Sequence, residues 1–417
     1  MADTISELDR YIRSTPQSKA LWEDAKNYMP GGASRNSIFW APYPIFVDRA
    51  TGCHVVDSDG VDRLDFIGTM TTLVLGHSPK VVVDAVQEQM TQGVVYNAPN
   101  PHQVRLAKLL CERIPSFDLV RFTNSGTEAT LNTIRAARAV TGKSKIAKVE
   151  GGYHGSHDQV SVSVRVNPAK AGERSHPDAV AATEGLGEGT LDQVVVMPFN
   201  ETAIAREILE SHKDELAAVI IEPMLGSVGM LPATPEFLTM LREFTKTNGI
   251  VLIFDEVISY RAASGGAQEY YGITPDMTSL GKIIGGGFSI GAFGGSKDIM
   301  DLYDPTVAGG PRVAHAGTFN ANPVTIENLR KIGPKLGESA AQILPGARLD
   351  SIAYSCTSGT VALGYDEVAS QIAKGRPGVP VTTPITAGIA GLNKIGAKRI
   401  TLFTPYIDSV NQAMRGF

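Results

Sequence analysis

The sequence predicts an α/β fold built on a mostly parallel sheet with both faces covered, and three observations carry that prediction. Short apolar runs recur at Leu119–Phe122, Ile146–Val149, Val194–Met197, Ala217–Ile221 and Ile250–Phe254. Polar or glycine-rich turn material follows each run, and amphipathic helical periodicity follows the turn. The runs are also apolar throughout rather than alternating, as strands buried on both faces are. In such sheets ligands bind at the carboxyl ends of the strands, so the residues that close each run are the first candidates for chemistry.

In chain order, residues 1–60 read as an N-terminal segment. Its opening MADTISELDRYIRS has acidic residues and no apolar stretch of the secretory kind, and no run in the chain approaches a membrane span. Residues 61–325 read as one large domain containing the five expected strands. Within it, 156–192 is polar and punctuated by Pro and Gly without a sustained period, which predicts a long loop of the lid or binding type. Residues 327–417 begin a second βα series, with strands expected at Leu349–Tyr354, Pro380–Thr383 and Ile400–Thr404 and helices at 364–374 and 386–395.

Composition narrows the function. The 417 residues are 43% hydrophobic and 19% charged, which excludes a disordered, collagen-like or coiled-coil chain. A net charge of -5 leaves no footprint for nucleic acid or an anionic membrane, so the expected partner is a small molecule. Three scattered cysteines, Cys53, Cys111 and Cys356, suit neither a disulfide framework nor a zinc cluster and predict a cytoplasmic protein. Glycine, at 43 residues, clusters in loops such as 31–32, 151–155 and 285–287, where a backbone can approach a ligand closely.

Lys282, in TSLGKIIGGGFSIGAFGG, follows a strand-like segment and sits among glycines. A ligand-facing amine and a solvated loop lysine both fit that setting, and the string is no phosphate loop, whose glycines precede the lysine. Asp255 closes IVLIFDEV, where a carboxylate either caps the next turn or faces a cation in the crevice. A cofactor with a cationic ring nitrogen would want such an acid, because the pair keeps the proton on the ring and the ring an electron sink. Ser125, Gly126 and Thr127 lie where a strand passes into a helix, a natural phosphate cradle; plain N-capping with Glu128 is the other use of such residues. Tyr153, in EGGYHGSHD, lies flat on a planar cofactor in one reading and packs on its own domain in the other. Its neighbours His154, His157 and Asp158 match no closed zinc pattern, so no metal is expected. Arg35, in PGGASRNS, is a candidate clamp for a substrate carboxylate, with a surface ion pair as the alternative.

In order, PGGASR, SGTEA, GGYHG, IIEP, DEV with Arg261 beyond it, GK and GTFNANPVT resemble the class III, fold-type I pyridoxal-phosphate aminotransferase family. The likeness is greatest to its glutamate-1-semialdehyde aminomutase branch and covers about residues 1–325. It implies a PLP-transferase large domain, pyridoxal 5′-phosphate as cofactor, and aminotransferase or aminomutase chemistry on a small amino acid or keto acid by a homodimer. It implies that Lys282 forms the internal aldimine and moves the proton between Cα and C4′, while Asp255 binds the pyridine nitrogen. Val257 would pack on one face of the ring and Tyr153 on the other, with Ser125, Gly126 and Thr127 on the phosphate. Glu222, in IIEP, would lie beside the cofactor, and Thr318 would reach the phosphate of the neighbouring subunit.

From residue 327 the chain departs from that family. Where a small domain would follow, DSIAYSCTSGTVALG and PVTTPITAGIAGLNKIGAKRITLFTPYID resemble part of the aspartate/glutamate racemase superfamily, of the maleate isomerase type, as a partial α/β segment. That likeness implies that Cys356 is one of two cysteines flanking a substrate, whereas a buried structural cysteine fits the same string and no second cysteine follows. Three functions therefore stand at this point: PLP-dependent amino-group transfer, a cysteine-dependent isomerase or racemase acting through Cys356, and a PLP-binding but inactive chimeric chain.

Overall fold

A computed structural model of the chain describes residues 6–326 and, beyond them, two short strands at Ile352–Ala353 and Val381–Thr382. The chain forms two compact units that divide between Asp84 and Ala85. Residue 60, where the N-terminal segment is expected to end, lies in the turn of a continuous antiparallel sheet within the first unit. That sheet runs β1 (Val47–Thr51), β2 (His54–Asp57) and β3 (Asp62–Leu64). The same unit carries α1 (Glu7–Ser14) and α2 (Pro16–Ala25). Its core is aromatic: Tyr43 is buried, stacks on Trp22 at 5.9 Å and accepts a hydrogen bond on its carbonyl from the Tyr11 hydroxyl at 2.6 Å.

The second unit holds the expected parallel sheet. Its strands are β4 (Leu119–Thr123), β5 (Lys145–Val149), β6 (Val194–Met197), β7 (Leu216–Ile221), β8 (Val251–Asp255), β9 (Met277–Leu280) and β10 (Gly291–Gly295). They lie in the order β4-β10-β9-β8-β7-β5-β6, parallel from β9 through to β6, with β10 antiparallel to both of its neighbours. All five expected strands are present, displaced by at most one residue at an end. β10 escaped the sequence reading because its run is GAFGG, which carries none of the branched residues that mark a strand.

Two apolar layers cover the sheet. On one face α5 (Thr202–His212) and α6 (Pro235–Asn248) bring Leu209, Phe237, Leu241 and Phe244 against Ala147, Val149, Val219, Ile221, Leu252 and Phe254. On the other, α4 (Gly126–Thr141) brings Ala129, Ile134 and Ala137 against Ile146, Ala218, Ile220, Ile253 and Met277; α3 (Pro101–Arg113) lies against β4. Side chains alternate along a strand, so the α4 face continues towards the carboxyl ends through Lys148, Asp255 and Ser279, with Glu222 just beyond β7. That face ends in polar residues where the sheet meets its ligand edge.

Residues 156–192 are mainly irregular, as expected, with a two-residue ribbon joining Gly172–Glu173 to His176–Pro177. Among the described residues, no helix is long and apolar enough to cross a membrane. Of residues 327–417, Ile352–Ala353 and Val381–Thr382 fall inside two expected strands and pair in parallel. Cys356, the strand expected at Ile400–Thr404 and the helices expected at 364–374 and 386–395 lie outside the described residues.

Candidate active site

Lys282 follows β9 after a single glycine and holds a φ of 43°, the left-handed region that a side chain with a Cβ seldom occupies. Its ammonium makes no hydrogen bond or ion pair among the described residues. Burial lowers its pKa, while the charges of Asp255 and Glu222 act in the opposite direction. A half-buried lysine held on strained backbone without a partner is not a solvated loop residue.

Asp255 ends β8 and is 4% exposed. Its Oδ1 accepts the Val257 amide at 3.1 Å, so the turn-capping reading is correct. Its Oδ2 pairs with His154 Nδ1 at 2.9 Å, so the carboxylate is also aimed back across the sheet edge. His154 is fully buried, its pKa lowered by that burial and supported by Asp255, and its Nε2 has no partner among the described residues. The His154 carbonyl accepts the Thr130 hydroxyl at 2.6 Å, which ties the 151–155 loop to α4.

Glu222 reaches the same loop. Its Oε1 accepts the Tyr153 amide at 2.8 Å and its Oε2 the Gly226 amide at 3.1 Å. Burial, reinforced by the Asp255 charge, pushes its carboxyl up to about 8 against these two donors. Tyr153 itself is 44% exposed, and burial of the rest of the ring, with Asp255 and Glu222 nearby, raises its hydroxyl pKa.

At the start of α4, Ser125 is an N-cap whose hydroxyl accepts the Glu128 amide at 3.2 Å, and the Glu128 carboxylate accepts the Asn124 amide at 2.9 Å. Capping thus uses the Ser125 side chain but leaves the Gly126 and Thr127 amides without a protein partner among the described residues. Those amides stand at the positive end of a sixteen-residue helix, an anion site by construction. A Cβ on Gly126 would lie 2.8 Å from Val257 Cγ2, so Val257 packs directly over the cradle.

These residues fit pyridoxal 5′-phosphate. Free amides at a helix start suit its phosphate, a buried carboxylate suits its ring nitrogen, and an unpaired lysine suits its carbonyl. The buried and unsatisfied His154 Nε2 and Ser279 Oγ mark the same region as incomplete in polar terms.

Two sequence candidates lie elsewhere. Thr318 is exposed and lines a separate cavity of about 540 Å³ with Val95–Asn100, Gln103, Gly317 and Asn320–Asn322. It is connected to the cradle through Asn320, whose Oδ1 accepts Asn124 Nδ2 at 2.7 Å. Arg35 is exposed in the first unit, on extended backbone before a 3-10 turn at Asn36–Ile38. The sequence reading missed His154 as the partner of Asp255, having weighed it only as a metal ligand. It also missed Lys148, although a lysine inside KIAKV breaks an apolar run. Among the described residues no group of His, Cys, Asp and Glu is placed to hold a metal.

A family model described as aminotransferase class-III matches residues 39–331. Glutamate-1-semialdehyde 2,1-aminomutase of Methanocaldococcus jannaschii is 42% identical over 311 residues, 74% of this chain and 70% of that protein. An omega-transaminase from Sphaerobacter thermophilus superposes with a TM-score of 0.77 at 44% identity, covering 88% of this chain and 80% of that one. A transaminase with PLP bound superposes with a TM-score of 0.73 at 36% identity, covering 85% and 80% respectively.

The raised carboxyl of Glu222 has a consequence for stability. Between about 4.5 and about 8 the folded chain holds a proton at Glu222 that the unfolded chain releases, so this group's contribution is complete below about 4.5 and is lost as pH rises to about 8. Glu222→Gln should therefore flatten the fall in urea midpoint across that window relative to the parent. Parallel profiles for the two proteins would show that Glu222 titrates normally.

Proposed function

The chain belongs to the class-III aminotransferase family, and we propose that Lys282 is the amine through which it moves amino groups between small amino acids and keto acids. Its fold is that of the fold-type I PLP transferases, and its cofactor is pyridoxal 5′-phosphate. When bound, the cofactor supplies a carbonyl for the amine and an electron sink deepened by a protonated ring nitrogen. Asp255 holds that proton, with His154 fixing its carboxylate from behind. The Gly126 and Thr127 amides hold the phosphate, with the Ser125 cap keeping the helix start rigid. Val257 and Tyr153 are assigned to the two ring faces, and Glu222 places Tyr153 through its backbone amide. Lys282, whose pKa burial lowers against the charges of Asp255 and Glu222, takes and returns the proton at the substrate Cα.

The observation that carries this reading is the unpartnered Lys282 ammonium on left-handed backbone, within the fields of Asp255 and Glu222. The Cys356 alternative gains no support among the described residues. Cys53 and Cys111 are free, which supports a cytoplasmic location. A homodimer is supported by Thr318, which lies exposed beside the exposed Val95, Tyr96 and Phe319 and so is available to a second copy's phosphate.

Borohydride reduction of the cofactor-loaded protein followed by mass mapping should place the pyridoxyl adduct on Lys282, and Lys282→Ala should end turnover; an adduct on another lysine, or none, overturns the assignment. Light scattering should give twice the 44.3 kDa chain mass, and a monomer that binds cofactor with undiminished affinity would remove Thr318 from the phosphate site. For Arg35, proposed from its guanidinium chemistry as the carboxylate clamp, Arg35→Lys should raise the KM of the amino donor about tenfold or more with kcat little changed. A change within about twofold would leave Arg35 without that role.

A further inference from the structure

We propose that Lys148 is a positioning residue for the cofactor: its side chain joins the two ends of the loop that carries Tyr153 and His154. The proposal rests on the reading of this site as a pyridoxal 5′-phosphate site and adds a residue that the reading does not use. Lys148 lies on β5 and is fully buried on the α4 face of the sheet, in the same row of strand ends as Asp255. Its Nζ donates to the Val149 carbonyl at 3.1 Å and to the Val162 carbonyl at 2.7 Å. Residues 150–161 lie between those two carbonyls and include Tyr153 and His154. A second stitch, from the Gly151 amide to the Ser163 carbonyl at 2.8 Å, closes the loop at the same neck.

Stability alone does not account for a lysine here. Burying an ammonium is costly, and among the described residues no carboxylate lies within ion-pair distance of it. An apolar side chain of similar length would fill the space without that cost. What only a multivalent donor provides is a bridge between two carbonyls on separate segments. Burial pulls its pKa down to about 7, against the opposing influence of Glu222 and Glu150. The loop is thus held at its neck by Lys148, at Tyr153 by Glu222, and at His154 by Asp255 and Thr130.

Binding linkage makes the proposal testable from both sides: if the neck sets the pose that meets the ring, the bound ring must in turn hold the neck. Apoprotein would be titrated spectrally with pyridoxal 5′-phosphate, alongside amide hydrogen exchange, for the parent, Lys148→Met and Lys148→Arg. Lys148→Met should bind about tenfold more weakly or worse, exchange faster at residues 150–161 but not in β8, and shift the circular dichroism of the bound cofactor. Lys148→Arg, which keeps donors for both carbonyls, should recover most of the affinity. A folded Lys148→Met that matches the parent in affinity and in exchange overturns the proposal, as does an affinity loss with no change at 150–161. The parent alone supplies a further measure should the variants not fold: mass-mapped amine labelling of Lys148 should slow about tenfold on cofactor loading, and equal rates overturn the proposal. A parent that takes up no cofactor would instead overturn the proposed function itself.

Discussion

A carboxylate removed from water at the end of a buried strand costs several kcal/mol unless donors meet it, and the arrangement around Asp255 answers that cost. One oxygen takes the Val257 amide from the next turn and the other takes His154 from a different strand's loop. His154 is fixed in turn, because its carbonyl is held by Thr130 in the second turn of α4. The first turn of that helix presents the free Gly126 and Thr127 amides. A single path of contacts therefore runs from the acid assigned to the ring nitrogen to the cradle assigned to the phosphate, at opposite ends of one cofactor.

Around that path the charges are kept apart rather than paired. Lys282 feels both Asp255 and Glu222 yet forms an ion pair with neither. An amine tied to a carboxylate would be held as the ammonium and would be a poor nucleophile, so the separation favours its chemistry. Glu222 shows the same restraint from the acid side. Its two amide donors favour the carboxylate, burial and Asp255 oppose it, and burial prevails. The site thus holds two acids and a base close enough to tune one another without neutralising one another.

Much of this was legible in the sequence, and what was not has identifiable causes. The five apolar runs marked five strands to within a residue because a strand buried on both faces has no wet side to dilute its signal. Asp255 stood out as a candidate because it closes such a run, and Lys282 because it follows a strand-like segment into glycines. At Ser125 the capping seen does not exclude the phosphate reading, since the hydroxyl serves the cap and the next two amides stay without a partner among the described residues. His154 and Lys148 were not legible as partners because their contacts, to Asp255 and Val162, cross between segments that no local pattern connects. β10 was hidden by its glycines, which exist for contact rather than for propensity: a Cβ on Gly294 would meet the Leu119 carbonyl at 2.5 Å, and one on Gly295 the Asp276 carbonyl at 2.6 Å.

The same glycines explain how an amine on strained backbone is held in place. A non-glycine residue in the left-handed region costs about 1–3 kcal/mol and persists only where its surroundings over-determine it. Beside Lys282 the main chain is packed closely against both backbone and the Val257 side chain. A Cβ on Gly281 would sit 3.4 Å from Gly126 Cα and 3.3 Å from Val257 Cγ1, and Gly291 has no room for a Cβ against the Ser125 carbonyl. Gly281 at the end of β9 therefore packs on Gly126 at the start of α4 with the Val257 side chain against both, and Gly291 at the start of β10 packs on Ser125. An added methyl group at Gly291 would push on the Ser125 carbonyl, one residue before the free amides, and one at Gly126 would push on Val257.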